Sequence, residues 1–249
     1  MKVAHMFRLR IFFISTFCLL MGLVVNDRVL SIDLPDWGRG AAGHIYALME
    51  AEEEEKPLIL YFHLDSESWS EKMTSEYLAV YEAWEFLSGI PRVEINPDRS
   101  ADEEALCNKY GVKQYPAFFV YVPAFEGKPE RIHPFSRARN MTVEEFLQTL
   151  KDKIVYQYNK KAHSYMVNRE YKEALRYYEM ALEFDPESAY TYYSLGVVYH
   201  SIAFQEKNFD LVKKAEENYL KALKIDPNHK ESKKELEKLR KGMKTLGIK

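Results

Sequence analysis

The spacing of apolar residues divides the 249-residue chain into a mixed segment and a helical one. Short apolar runs predict strands at Leu58–His63, Arg92–Ile95 and Pro116–Val122. The first run follows a proline and is almost wholly apolar, which is typical of a strand buried on both faces of a sheet. Glu130–Pro134, after the Glu126-Gly127 turn, is expected to form an edge strand.

The intervening segments have apolar residues at three- and four-residue spacing, which indicates helices with one buried face. We expect helices over Ala41–Glu55, Ser68–Leu87 and Asp102–Tyr110, and a long one from Thr142. Thr142 and Glu145 form a capping-box pattern at the start of that last helix. The predicted order is helix-strand-helix-strand-helix-strand-strand-helix.

This order, together with two motifs, resembles the thioredoxin-like family. Lys56–His63, KPLILYFH, resembles the central strand that leads into the redox loop. Lys109–Val120, KYGVKQYPAFFV, resembles the segment whose proline is cis and faces that loop. The resemblance covers residues 37–152 and implies an α/β thioredoxin-like domain.

The C-terminal part contains an internal repeat. Glu173–Pro186 matches Lys214–Pro227 at an offset of 41 residues, seven more than the 34 of a tetratricopeptide (TPR) repeat. The extra residues lie around Phe204–Leu211. Small residues and tyrosines recur at TPR spacing, so the segment resembles two TPR helical hairpins, and Lys230–Met243 is expected to cap them.

These patterns give three predicted segments: a signal peptide or membrane anchor at 1–31, a thioredoxin-like domain at 32–152 and an all-α TPR domain at 153–249. Between Arg137 and Asp185 there is neither glycine nor proline. We therefore expect the junction between the two domains to be helical rather than a flexible linker.

The redox loop has lost its chemistry. In the family that this segment resembles, a Cys-x-x-Cys pair precedes the helix, and its first thiolate attacks disulfides. Here the loop residues are Glu67, Ser68, Trp69 and Ser70, with Glu67 and Ser70 at the two cysteine positions. Ser68 and Glu71 predict a capping box. Cys107 is expected to be a core residue, so the sequence predicts no enzymatic activity.

Two surfaces remain for binding. Trp69, Tyr115 and Pro116 are expected to meet where a thioredoxin-like protein grips an extended peptide; the groove either still binds peptide or is vestigial and buries Trp69. The inner TPR face either binds a partner or packs against the preceding domain. Its predicted residues are Tyr156, Asn159, His163, Met166, Tyr190, Tyr193, Val197 and His200.

The N-terminus indicates export. The apolar run Ile11–Val25 follows Lys2, Arg8 and Arg10, as in a signal peptide, and is shorter than a membrane span of about 20 residues. Cleavage after Ser31 and retention as a membrane anchor both fit. Either outcome places the remaining chain outside the cytoplasm, and we expect a bacterial periplasmic location with membrane association through residues 11–25 where the segment is retained.

Charge and motif content exclude several functions. Residues 27–150 carry 12 Lys/Arg against 23 Asp/Glu, whereas residues 151–249 carry 20 against 15. The acidic first half disfavours nucleic-acid binding. No metal-ligand spacing and no glycine-rich phosphate loop occur, so neither a metal nor a cofactor is expected.

Two functions remain. The first is a non-catalytic adaptor that holds protein partners, whose identity the residues do not specify. The second is an auxiliary thiol-disulfide or folding factor that captures clients for a true oxidoreductase through Trp69 and Tyr115.

Overall fold

The structure is a computed structural model, and it describes residues 34, 36–125, 127–136 and 138–246. The predicted signal or anchor segment at 1–31 lies outside these residues. The described residues form one compact unit. None of the helices in the described part of the chain is long and apolar enough to cross a membrane.

A five-stranded mixed sheet forms the first half of the fold. Its strands are β1 (Gly38–Arg39), β2 (Leu58–Phe62), β3 (Arg92–Ile95), β4 (Ala117–Tyr121) and β5 (Glu130–Ile132). The spatial order is β1-β3-β2-β4-β5. β1 and β2 run parallel to β3, whereas β4 is antiparallel to both β2 and β5. This arrangement is the thioredoxin-like topology that the sequence predicts.

Helices cover both faces of this sheet. They are α1 (Gly40–Glu53), α2 (Ser68–Lys72), α3 (Tyr81–Leu87) and α4 (Ala101–Lys109). Alternate residues of β2 point to opposite faces: Leu58 and Leu60 pack with α1 and α4, whereas Tyr61 packs with Met73 on the other side. Burial on both faces is why β2 is apolar throughout.

The single helix predicted over Ser68–Leu87 is wrong. After α2 the chain widens into a π-helical segment, Met73–Leu78, and then breaks before α3 begins at Tyr81. The apolar spacing continues through the break because Tyr77 and Leu78 before it and Leu87 after it pack into the same core. The apolar spacing alone therefore gives no sign that the helix is interrupted.

Helix α5, Val143–Val167, links the sheet to the helical repeats. The predicted capping box at its start is confirmed: the Thr142 side chain accepts from Glu145 N at 3.1 Å, and Thr142 N donates to the Glu145 carboxylate at 2.9 Å. The helix runs without interruption across residue 152, where the sequence places the domain boundary.

Two helical hairpins and a last helix follow. The second half of α5 pairs with α6 (Tyr171–Phe184), α7 (Ala189–Glu206) pairs with α8 (Phe209–Ile225), and α9 (Lys230–Leu246) packs against α8. Leu236 and Leu239 of α9 are buried, as the sequence predicts. Small residues such as Ala174 and Ala181 are fully buried where paired helices meet.

Glu55 joins the sheet half to the repeats. It lies in the connection between α1 and β2 with a left-handed φ of 53°. Its backbone carbonyl accepts from the Tyr158 hydroxyl at 2.7 Å, and its carboxylate accepts from Arg176 and from the Tyr177 hydroxyl. The hydrogen bond from Arg176 is the main reason that the pKa of Glu55 is lowered.

A close approach between α7 and α8 allows a direct test of packing. A Cβ at Gly196 of α7 would lie 2.6 Å from the ring of Tyr219 on α8, whereas a Cβ at Gly242 of α9 would meet no atom within 4 Å. We expect Gly196→Ala to lower the free energy of unfolding by about 1–3 kcal/mol through overpacking. The measurement is urea denaturation followed by circular dichroism.

Gly242→Ala is the matched control. It is expected to stabilise the chain by about 0.5–1 kcal/mol, since alanine is a better helix former than glycine. Equal effects of the two substitutions would contradict the packing argument.

Candidate functional site

The loop between β2 and α2 is arranged to cap a helix. Glu67 is the N-cap of α2, and its carboxylate accepts from Ser70 N at 2.7 Å and from the Ser70 hydroxyl at 3.2 Å. The predicted capping box of Ser68 and Glu71 is therefore wrong, because the cap lies one residue earlier and its longer side chain reaches the N–H groups.

Ser70 is buried and held by the backbone around it. Its hydroxyl oxygen accepts from Leu64 N at 3.3 Å, and its carbonyl oxygen accepts from the Tyr61 hydroxyl at 2.8 Å. The contacts to Leu64 and Glu67 occupy the side chain, and the Tyr61 contact holds the backbone, so Ser70 ties the start of α2 to the end of the loop.

A charged cluster lies behind the loop. The ring nitrogens of His63 lie 3.4 Å from Asp65 and from Glu94, and Arg99 contacts Glu94 at 3.1 Å. Burial alone would raise the pKa of the Glu94 carboxyl, but His63 and Arg99 lower it. His63 is buried and stacks on Tyr61 with ring centroids 4.9 Å apart. The cluster therefore fixes the end of β2.

The predicted groove is present. Trp69, Tyr115 and Pro116 line one cavity of about 340 Å³, and the Tyr115–Pro116 peptide bond is cis. Trp69 is 44% exposed and packs against Phe135 with ring centroids 4.9 Å apart, so the alternative in which the groove buries Trp69 is wrong. Trp69 is therefore accessible to solvent at the edge of this cavity.

Sequence reasoning missed most of the other residues that line this cavity, among them Arg131, His133 and Phe135. They come from β5 and the segment after it, which carry no motif. Arg131 donates to the Gln114 carbonyl at 3.0 Å, and burial lowers its pKa. No carboxylate lines the cavity among the described residues, although the surrounding half of the chain is acidic.

Cys107, the only thiol after residue 18, lies in α4 and does not line this cavity, although its side chain contacts Tyr115, which does. Its side chain is buried in the core between the sheet, α1 and α4. Burial raises the pKa of the Cys107 thiol, which disfavours the reactive thiolate.

The eight residues predicted for the inner TPR face do not form one surface. Asn159 is buried, and its amide exchanges hydrogen bonds with the Thr191 hydroxyl at 3.0 and 3.1 Å, so its placement on an open face is wrong. Tyr156 lines a cavity with Phe125 from the segment after β4, whereas His200 lines a third cavity at the end of α7.

The remaining predicted residues have mixed exposure. Tyr190 and His163 are exposed, and Met166 and Val197 are half-buried. Tyr193 is half-buried because its ring lies 6.2 Å from that of Tyr219 and 5.2 Å from that of His229. Within the part of the chain that the structure describes, no group of three or more His, Cys, Asp or Glu side chains is placed to hold a metal ion.

Comparison with known proteins identifies the repeats. Residues 163–202 match the TPR repeat model. No curated protein sequence matches the chain. The chain thus has a thioredoxin-like sheet, shown by its own strand order, followed by TPR repeats.

Three solved structures resemble parts of it. A thioredoxin from Thermus thermophilus is 20% identical over 47% of this chain and 85% of that chain, with a TM-score of 0.37. A DsbH oxidoreductase is 19% identical over 53% and 92%, with a TM-score of 0.39. The human IFIT1 dimer with PPP-AAAA is 19% identical over 39% of this chain, with a TM-score of 0.33, and this chain spans only 23% of that chain.

The Glu67 cap makes a specific prediction. Glu67→Ala should lower the free energy of unfolding by about 1 kcal/mol, since Ser70 N loses its acceptor at the helix start. Glu67→Asp, which supplies another good N-cap side chain, should retain most of that stability. Urea denaturation of both variants checks this, and equal losses would show that the cap contributes nothing.

Proposed function

We propose that this chain is a non-catalytic, extracytoplasmic adaptor that binds protein partners. The observation that carries the proposal is the state of the former redox loop: the two cysteine positions hold a helix-capping Glu67 and a buried Ser70. A loop whose two former cysteine positions carry side chains that bond to each other supports binding rather than group transfer.

The TPR repeats supply the binding module. TPR domains generally bind protein partners, and the matched residues 163–202 include the exposed side chains of His163 and Tyr190. Tyrosine offers a large contact area at low cost in side-chain entropy. Residues 11–25, with the basic residues before them, support export and a location in the bacterial periplasm.

The second candidate function is capture of unfolded clients for a separate oxidoreductase. It is favoured by one observation: Trp69 is exposed beside Tyr115 and Pro116 in an open cavity. The two functions use different surfaces, so substitutions in each surface separate them.

The first experiment tests the absence of redox activity. We expect the purified chain to reduce insulin no faster than the dithiothreitol background, because the buried Cys107 is its only thiol after residue 18 and has no resolving partner. A Cys107→Ala variant is the control. A rate above background that this variant loses would overturn the proposal that the protein is not an enzyme.

The second experiment locates the partner surface. Affinity purification from native membranes, read by mass spectrometry, would compare the intact chain with a His163→Ala/Tyr190→Ala variant and with Trp69→Ala. We expect one stoichiometric partner, lost only with the TPR variant. A heterogeneous set of unfolded clients, lost only with Trp69→Ala, would instead establish the client-capture function.

A further inference from the structure

A large apolar cavity lies at the far end of the repeats. The end of α7, the start of α8 and the last turns of α9 enclose a groove of about 610 Å³. We call it the tip groove. Phe204, Phe209, Val212, Leu239 and Met243 line it.

The tip groove follows from the seven extra residues in the second repeat. The helices of its hairpin, α7 and α8, contain 18 and 17 residues, whereas α6 in the first hairpin contains 14. The insertion is about one extra turn in each paired helix. The lengthened end leaves Phe204 86% exposed and Phe209 more than half exposed. Large exposed aromatic side chains that adjoin an apolar cavity mark an interaction surface.

The charge around the tip groove is positive. Lys207 and Lys238 line it, and no carboxylate does so among the described residues. Lys238 also contacts Glu235 at 2.7 Å, whereas no ion pair is described for Lys207. Residues 151–249 carry five more basic than acidic residues. The groove therefore favours an occupant that is apolar with acidic groups at its edge.

A surface with those properties lies on the other half of the chain. Helix α1 exposes Ile45, Tyr46 and Met49, of which Tyr46 is 74% and Met49 is 59% exposed. Glu52 and Glu53 are exposed on the next turn. Residues three, four and seven apart share one helix face, so these side chains form one apolar stripe with an acidic end, which we call the α1 patch.

We propose that the tip groove of one copy binds the α1 patch of a second copy. Both surfaces are exposed, so they do not cover each other within one molecule. Apolar side chains would fill the groove, and Glu52 and Glu53 would face Lys207 and Lys238. Because the two surfaces differ, the contact is head-to-tail, and it builds open chains or closed rings, of which the smallest is a dimer with two reciprocal contacts.

Sedimentation velocity of the full-length chain tests the proposal. A mild detergent keeps association through residues 11–25 the same in every sample. We expect the mean mass of the wild-type protein to rise with concentration above that of a monomer. Phe204→Glu should block the groove and Met49→Glu the patch, and each should weaken association by roughly tenfold or more.

Mixing the two variants gives the decisive measurement. Met49→Glu protein keeps its groove and Phe204→Glu protein keeps its patch, so an equimolar mixture should form a 1:1 complex that neither forms alone. Tyr81→Glu, at an exposed aromatic position outside both surfaces, is the matched control and should associate like the wild type. Circular dichroism of all variants checks that they are folded.

Three results would overturn the proposal. The first is a wild-type mass that does not change with concentration, and the second is association that persists in both variants. The third is a mixture that does not form the 1:1 complex. Neither bears on the adaptor function, which depends on the redox and partner-capture experiments.

Discussion

The architecture depends on one helix that serves two structures. Phe146 and Leu150, in the first half of α5, are fully buried in the core beneath the sheet, and Tyr158 and Ala162, in its second half, are fully buried against the repeats. The sheet and the first TPR hairpin therefore share one continuous hydrophobic core, to which both halves of α5 contribute. The hydrogen bonds to Glu55 add a second, polar connection between the same two parts.

A rigid connection changes the role of the thioredoxin-like half. A redox loop must move and exchange partners, whereas here Glu67, Ser70, Tyr61 and Leu64 bond to one another around the start of α2. With two repeats, the TPR segment has few neighbours against which to stack, and stacking is the source of stability in such arrays. The sheet supplies that neighbour through α5.

Sequence reasoning was most successful where a local rule determined the structure. The apolar runs located β2, β3 and β4 to within one residue, and the Thr142–Glu145 pattern located the start of α5. It was less successful where contacts between residues distant in the sequence determine the structure. Asn159 is buried because Thr191, 32 residues away, satisfies its amide. Arg131, His133 and Phe135 enter the groove only because β5 pairs with β4.

Helix α5 connects the acidic half of the chain to the basic half. The acidic half carries the α1 patch and the basic half carries the tip groove, and α5 joins the two halves without a flexible linker. Opposite charges on a flexible chain could meet within one molecule, but here the patch and the groove both remain exposed. The two surfaces are therefore free to attract each other between molecules. The seven-residue insertion lengthens the hairpin and exposes Phe204 and Phe209. Association between copies gives those exposed side chains an apolar environment.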